Sequence, residues 1–157
     1  MIKINIVAVG KVKESYFADG IKEYSKRLSK FCEFTVKEIA EENFSKVDDA
    51  LISVIKEREA DRILPNLKGY VLAMAIEGKK YSSERLASTL KRLVDDGMGV
   101  ITFVIGGSYG LSDRIKKRVD ELVSFSDMTF PHQLMRVILA EQVYRAFMIN
   151  AGSTYHK

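Results

Sequence analysis

The sequence predicts an α/β fold: a parallel sheet with helices on both faces. Strand-like and helix-like segments alternate five times along the chain, the pattern of successive βαβ units. Residues 70–76 form a continuous apolar run, which suits a strand buried on both faces. The chain has 157 residues, of which 46% are apolar and 29% charged. That size and composition predict one globular domain covering residues 1–157.

The first half of the chain predicts three strands and two helices. Residues 2–9 are rich in β-branched side chains and end at Gly10, as expected for a strand followed by a turn. A helix follows, with an apolar stripe of Phe17, Ile21, Tyr24 and Leu28. Residues 34–39 predict the second strand, and a second helix is expected from near Ser45 to just before Pro65. The apolar run at 70–76 is the third strand.

The second half predicts two more strands and three helices. A helix opens at Ser82 and ends near Gly97, and a buried strand covers residues 100–105. A short helix over 112–118 and a weak strand over 122–124 follow. Beyond Pro131 a long helix runs to about Asn150. Its inward-facing residues are predicted to be Leu134, Val137, Ile138, Tyr144 and Met148.

Charge and cysteine content narrow the function classes. The net charge of +4 allows nucleic acid as a partner without requiring it. Cys32 is the single cysteine, and with two histidines it cannot build a closed zinc site without carboxylates, so we expect no metal. No apolar run approaches the roughly 20 residues that span a bilayer. The first residues lack a signal-peptide pattern, which predicts a cytoplasmic protein with no membrane partner.

A glycine-rich loop at residues 106–110 separates a buried strand from a helix start. Ligands of open parallel sheets bind beyond the carboxyl ends of the strands, so this loop and those after residues 76 and 124 are candidate binding positions. The loop lacks the lysine of a phosphate-binding Walker motif and the spacing of a dinucleotide fingerprint. It does match the G-x-S-x-G of a hydrolase elbow. A small serine hydrolase using Ser108, Asp113 or Asp127, and His132 is therefore an alternative.

The segment around residues 125–133 is unusual for a loop because it carries three large apolar side chains, Phe125, Met128 and Phe130. They either fill the core or line a pocket for a flat, partly apolar ligand such as adenosine. His132 follows the proline that begins the last helix, and it is a candidate for titration near neutrality.

The C-terminal region contains a second candidate cluster. Glu141 and Arg145 are spaced to pair on one helix face, which suggests a subunit interface or an RNA-facing arginine. Tyr155, His156 and Lys157 combine an aromatic ring, an imidazole and a cation, which suits a nucleobase and its phosphate, although a frayed terminus is the plainer interpretation. A non-catalytic RNA-binding module is the second alternative.

Four stretches together resemble the RlmH family, the bacterial ribosomal RNA large-subunit pseudouridine methyltransferases of the SPOUT class. They are FVIGGSYGL at 103–111, SFSDMTFPHQLMRV at 124–137, EQVYRAF at 141–147 and YHK at 155–157. The opening IVAVGK at 6–11 and the length also fit, so the resemblance covers essentially the whole chain.

This resemblance implies a SPOUT fold with a C-terminal trefoil knot and a homodimer. It implies S-adenosyl-L-methionine as cofactor and methylation of N3 of a pseudouridine in a stem-loop of 23S rRNA within the assembled ribosome. The cofactor-binding residues it implies are Met74, Gly106, Phe125, Ser126, Asp127, Met128, Thr129 and Phe130. Met74 departs from the leucine that the family commonly has there, although the two side chains are close in volume.

The expected chemistry requires removal of a proton from the acceptor nitrogen, because N3 carries one. The candidate groups for that step are His132, His156 and Tyr155. Arg136 and Arg145 are candidates for stabilising the anion that develops on the base. The tail pair of Tyr155 and His156, closing over the substrate, is the first choice.

Overall fold

The computed structural model describes residues 1–157 as one five-stranded parallel sheet with strand order β2-β1-β4-β3-β5. The strands are β1 (Lys3–Val9), β2 (Glu33–Ile39), β3 (Tyr70–Lys80), β4 (Val100–Ile105) and β5 (Glu121–Ser124). The helices are α1 (Ser15–Leu28), α2 (Asp49–Ile63), α3 (Ser83–Asp95), α4 (Asp113–Arg118) and α5 (His132–Asn150). A short 3-10 turn, Leu64–Asn66, follows α2. The predicted α/β class and the order of elements are confirmed.

The helices divide between the two faces of the sheet. Strand residues alternate between faces, so Ile4 and Ile6 of β1 pack in one core while Val7 and Val9 pack in the other. The first core lies under α1, α3 and α5, and the second lies under α2 and α4. None of the helices combines the length and the apolar character that crossing a membrane requires.

Two predicted element bounds differ from the structure. Helix α2 begins at Asp49, rather than near Ser45, because the Asp48 carboxylate accepts a hydrogen bond from the Leu51 amide at 2.8 Å and caps the helix there. Strand β3 extends to Lys80 and is not buried throughout its apolar run, since Ile76 is 53% exposed. Its pairing with β4 ends at Ala73, and beyond that point one side of the strand is open.

The predicted inward stripe of α5 is largely wrong. Of the five predicted residues only Met148 is buried, while Leu134, Val137, Ile138 and Tyr144 are half-buried. The buried positions of α5 are Arg136, Leu139, Ala140, Val143, Ala146 and Met148. Apolar residues surround nearly the whole helix, so their periodicity does not select one face.

The end of β3 and the chain after β5 cross closely. β5 pairs with Leu72 to Met74 of β3 and again with Lys79 and Lys80, with a break in register between. After β5 the chain passes the carboxyl ends of β3 and β4 as residues 125–131. It then enters α5, whose Arg136 bonds to the end of β1. This path is consistent with the trefoil knot that the resemblance implies.

Gly78 is where β3 meets the backbone of β5, and we expect Gly78→Ala to destabilise the fold. A Cβ at Gly78 would lie 2.6 Å from the Leu122 carbonyl carbon and 2.6 Å from the Val123 nitrogen, and neither backbone atom can move without disturbing the β3–β5 pairing. The expected cost is about 3 kcal/mol of unfolding free energy, as for overpacking of a core. Chemical denaturation measures it. Gly99→Ala is the control, because a Cβ there meets nothing within 4 Å. Equal stability of the two variants would contradict the close crossing.

Candidate active site

A cavity of about 680 Å³ opens at the carboxyl edge of the sheet. Four segments form its wall: the end of β3, the glycine loop after β4, the segment after β5 and the first turn of α5. Half of its 22 lining residues are apolar. This volume and mixed lining are typical of a site for a small organic ligand of nucleoside size.

The glycine loop is folded tightly against its neighbours. The Gly110 amide donates a hydrogen bond to the Gly107 carbonyl at 3.1 Å, and Gly110 has a φ of +81°. A Cβ at Gly106 would lie 2.9 Å from the Gly110 carbonyl carbon. A Cβ at Gly107 would lie 3.0 Å from a methyl of Val9. The loop therefore needs glycines to reach this conformation, which leaves its backbone open to the cavity.

The segment after β5 is held by a local turn. The Ser124 hydroxyl donates to the Ser126 carbonyl at 2.8 Å, and the Ser126 hydroxyl accepts from the Met128 amide at 3.0 Å. The turn directs Phe125 and Phe130 to the cavity, where they are half-buried, while Met128 is 72% exposed at its edge.

The structure brings together most of the residues expected to bind a cofactor. Those that line the cavity are Met74, Gly106, Phe125, Ser126, Met128, Thr129 and Phe130. Asp127 does not line it, because its carboxylate is exposed and pairs with the Lys80 ammonium at 2.7 Å.

His132 is the one predicted catalytic residue that lines the cavity. Its Nδ1 is buried without a hydrogen-bond partner. Burial, followed by the nearby positive charge of Arg136, lowers the pKa of His132 below its ordinary value. The imidazole is consequently neutral at pH 7 and has a lone pair available for a proton.

Arg136 lies one turn further along α5 and is fully buried. Its guanidinium donates to the Val9 carbonyl at 2.9 Å, the Gly10 carbonyl at 2.8 Å and the Glu38 carboxylate at 3.0 Å. Arg136 does not line the cavity. In this position it ties the start of α5, including His132, to the end of β1.

The other three predicted catalytic residues form a separate cluster at the far end of α5. The Arg145 guanidinium donates to the Glu141 carboxylate at 2.9 Å and lies 3.1 Å from His156 Nδ1. His156 Nε2 lies 2.8 Å from the Glu84 carboxylate on α3. The Tyr155 hydroxyl donates to Glu141 at 3.3 Å. The tail is thus docked on its own chain.

Neither this tail cluster nor Arg145 lines the cavity of the same chain. Arg145 follows His132 by thirteen residues of helix, a separation of about 20 Å along the axis. Burial, ahead of hydrogen bonds and charges from Tyr24 and Glu141, raises the pKa of Tyr155 to about 12, so its phenol stays protonated at neutral pH. One chain therefore contains the predicted site residues in two separate places.

Sequence reasoning missed an ion pair in the cavity wall. The Lys116 ammonium of α4 lies 2.6 Å from the Glu77 carboxylate of β3 and is the main cause of the lowered pKa of Glu77. Both residues line the cavity, although they are 39 positions apart in the chain. Only the position of Glu77, just after the predicted strand at 70–76, could have signalled this.

The arrangement required by the hydrolase alternative is absent. Ser108 lines the cavity, but its hydroxyl makes no hydrogen bond with His132, Asp113 or Asp127. Since the Asp127 carboxylate pairs with Lys80, no carboxylate orients the imidazole toward Ser108.

A parallel α/β sheet with a nucleoside-sized cavity between a glycine loop and a crossing segment defines a nucleoside-binding protein of the SPOUT type. Comparisons with known proteins agree. The family model described as "Predicted SPOUT methyltransferase" matches residues 2–156. The chain therefore belongs to the SPOUT methyltransferase family, and its relatives include proteins named ribosomal RNA large subunit methyltransferase H.

Two such relatives cover nearly the whole chain. The protein of Streptococcus uberis is 50% identical, over 99% of this chain and 100% of its own length. The protein of Lactobacillus acidophilus is 52% identical over the same shares. Both carry the name ribosomal RNA large subunit methyltransferase H.

Solved structures share the fold at low sequence identity. A probable methyltransferase from Bordetella pertussis Tohama I has a TM-score of 0.57 and 11% identity, covering 92% of this chain and 96% of that one. The tRNA (m1G37) methyltransferase from Aquifex aeolicus has a TM-score of 0.51 and 18% identity, covering 91% and 69%.

Proposed function

We propose that this protein methylates the ribosomal RNA of the large subunit with S-adenosyl-L-methionine as methyl donor. The observation that carries the proposal is the cavity of about 680 Å³, formed where the SPOUT chain crosses the carboxyl edge of its sheet. The name shared by relatives 50–52% identical over 99% of the chain supports the choice of substrate. A ribosomal substrate in turn places the protein in the cytoplasm.

The finer proposal is that the acceptor is N3 of a pseudouridine in a stem-loop of 23S rRNA in the assembled ribosome. The net charge of +4 supports a shaped ribosomal surface rather than naked RNA as the substrate. Binding to extended RNA by charge alone needs many phosphate contacts, whereas a folded RNA is recognised largely by shape.

The cavity suits the proposed cofactor. Its volume falls within the roughly 300–1,000 Å³ of small-molecule sites, and half of its lining residues are apolar. The glycine loop exposes backbone where an adenosine needs hydrogen bonds, and Phe125 and Phe130 provide apolar walls. The buried Nδ1 of His132 lacks a partner within the chain, as expected of a group that meets a ligand.

When bound, S-adenosyl-L-methionine supplies a methyl group on a positively charged sulfonium. The apolar wall of Phe125, Met128 and Phe130 does not oppose loss of that positive charge. The protein must hold donor and acceptor within about 3–3.5 Å in line. His132, neutral because burial lowers its pKa, is the group that accepts the N3 proton. Arg136 positions His132 through its bonds to the end of β1.

We further propose that the protein is a homodimer in which the tail acts on the partner's cavity. Helix α5 has apolar residues around nearly its whole circumference, and Leu134 and Ile138 remain half-buried. A helix without a polar face is normally covered on every side. The tail cluster of Arg145, Tyr155 and His156 lies about 20 Å along α5 from its own cavity, so a second subunit would have to bring a tail to each cavity.

Calorimetric titration with S-adenosyl-L-methionine, followed by methyl-transfer assays, tests the proposal. We expect one donor site per chain, efficient transfer to ribosomes and at least tenfold slower transfer to isolated 23S rRNA. Ser108→Ala should retain activity within a few fold, because Ser108 has no triad partner in the structure. Absence of a binding heat, or labelling of Ser108 by a fluorophosphonate, would overturn the assignment. Equal rates on both substrates would overturn the ribosome preference.

A further inference from the structure

The loop between β1 and α1 carries two lysines without acidic partners. The side chains of Lys11 and Lys13 are exposed, and neither has a carboxylate within 4 Å, although Glu14 is their neighbour in the chain. The half-buried Val12 lies between them. In an extended segment alternate residues share a side, so both ammonium groups face outward together.

This loop is held in place from three elements. The Val12 amide donates to the Glu38 carboxylate of β2 at 2.7 Å, and the Lys13 amide donates to the Gln133 side chain of α5 at 3.0 Å. The carbonyl of Gly10, which has a φ of +92°, accepts from Arg136 at 2.8 Å. The two lysines therefore stand on a pre-organised backbone, which reduces the entropy lost when they bind a ligand.

The loop lies beside the methyl-donor cavity. The Lys13 charge contributes to the lowered pKa of His132, which lines that cavity. A Cβ at Gly10 would lie 3.4 Å from the His132 ring and 3.4 Å from the Glu41 carboxylate. Glu41 is the acidic group facing this end of the cavity, and it makes no ion pair with either lysine.

An exposed aromatic ring stands next to the lysines. Tyr16, in the first turn of α1, is 65% exposed and packs edge-to-face on Phe17 with centroids 4.6 Å apart. No acidic residue occurs in the first turn of α1 or of α5, so no carboxylate of those turns competes for the lysines. Unpaired ammonium groups beside an exposed ring are the chemistry that binds the phosphates and bases of a nucleic acid.

We propose that Lys11, Lys13 and Tyr16 form the surface that binds the target ribosomal RNA beside the cavity, the lysines contacting backbone phosphates and Tyr16 stacking on a base. The inference rests on the proposed function and adds where the RNA lies. It places the RNA strand along the loop between β1 and α1, next to His132. This surface is called the β1–α1 surface below.

The test is the double variant Lys11→Gln/Lys13→Gln, compared with Lys3→Gln/Lys91→Gln. The control removes the same charge from elsewhere: Lys3 begins β1 at the opposite edge and pairs with Glu33, and Lys91 pairs with Asp95 on α3. We expect the β1–α1 variant to raise KM for ribosomes at least tenfold at about 0.15 M salt, with kcat within threefold and donor affinity unchanged. The slope of log(kcat/KM) against log salt should fall by about 1.5–2, roughly one per phosphate contact.

Tyr16→Ala supplies the second measurement. We expect it to weaken ribosome binding at least fivefold without changing the salt slope, while Tyr16→Phe behaves as the wild type. An identical KM and salt slope for the two lysine variants, in an enzyme whose wild type methylates ribosomes, would overturn the β1–α1 surface and leave the proposed function intact. A wild type that binds no donor would overturn the proposed function. Cosedimentation of the variants with ribosomes tests the surface separately from catalysis.

Discussion

Removal of residues 154–157 is expected to lower methyl transfer to ribosomes at least 100-fold while leaving the affinity for S-adenosyl-L-methionine unchanged. The tail contains Tyr155 and His156 but contributes nothing to the donor cavity of its own chain. Its loss should therefore affect positioning of the acceptor, which accounts for large rate factors, and not binding of the donor. Single-turnover assays and calorimetry on the same preparation measure the two effects.

Glu84→Gln is the matched control for the tail deletion. Glu84 holds His156 in the docked tail at 2.8 Å, yet it lies outside the cavity. If the tail acts by leaving this docked position, the variant should retain activity within a few fold. Unchanged turnover after the deletion would contradict a role of the tail in catalysis.

His132→Gln is expected to lower kcat by about 100-fold or more at pH 7, the usual contribution of a general base. The wild-type rate should stay level from pH 8 down to below pH 6.5. The pKa of His132 is lowered, so the neutral imidazole is lost only as the pH falls through that lower value. The variant should lack this acid limb. Rates at saturating donor and saturating ribosome across pH 5–8 measure it.

His156→Gln separates the two candidate bases. If His132 accepts the proton, His156→Gln keeps the acid limb of the pH profile even where its rate falls. Loss of the limb in His156→Gln, with its retention in His132→Gln, would assign the proton to the tail instead.

The two variants also test whether the tail acts across the dimer. Subunits lacking residues 154–157 and subunits carrying His132→Gln should each be inactive alone. In a mixed dimer the intact cavity of one subunit meets the intact tail of the other, so mixing should restore about a quarter of the wild-type activity. No recovery from verified mixed dimers would show that each tail serves its own cavity.

Local patterns carried the prediction of the fold. The alternation of β-branched runs with helical stripes predicted every strand and helix in order, since these patterns depend on near neighbours. The prediction failed where the local pattern is uninformative. Helix α5 is apolar on nearly all sides, so its buried face, with Arg136 among the buried residues, depends on what packs against it. Strand β3 opens beyond Ala73 because its partner β4 ends there.

The cavity was predicted in part. Glycines after a strand and aromatic residues in a loop pointed to Gly106, Phe125 and Phe130, all of which line it. The sequence could not show that Asp127 turns away to Lys80, or that Lys116 enters the wall beside Glu77. These contacts join residues 39 and 47 positions apart and exist only once β3, α4 and the segment after β5 have packed together.

The sequence alone determined the α/β class, the order of the elements, and the glycine and aromatic segments that form the cavity, because each is encoded by residues close together in the chain. The tertiary structure decided that His132 faces the cavity with a lowered pKa, that Arg136 is buried against the end of β1, and that the tail docks far along α5. These features depend on burial and on charges brought together from distant segments, which no local pattern of residues specifies.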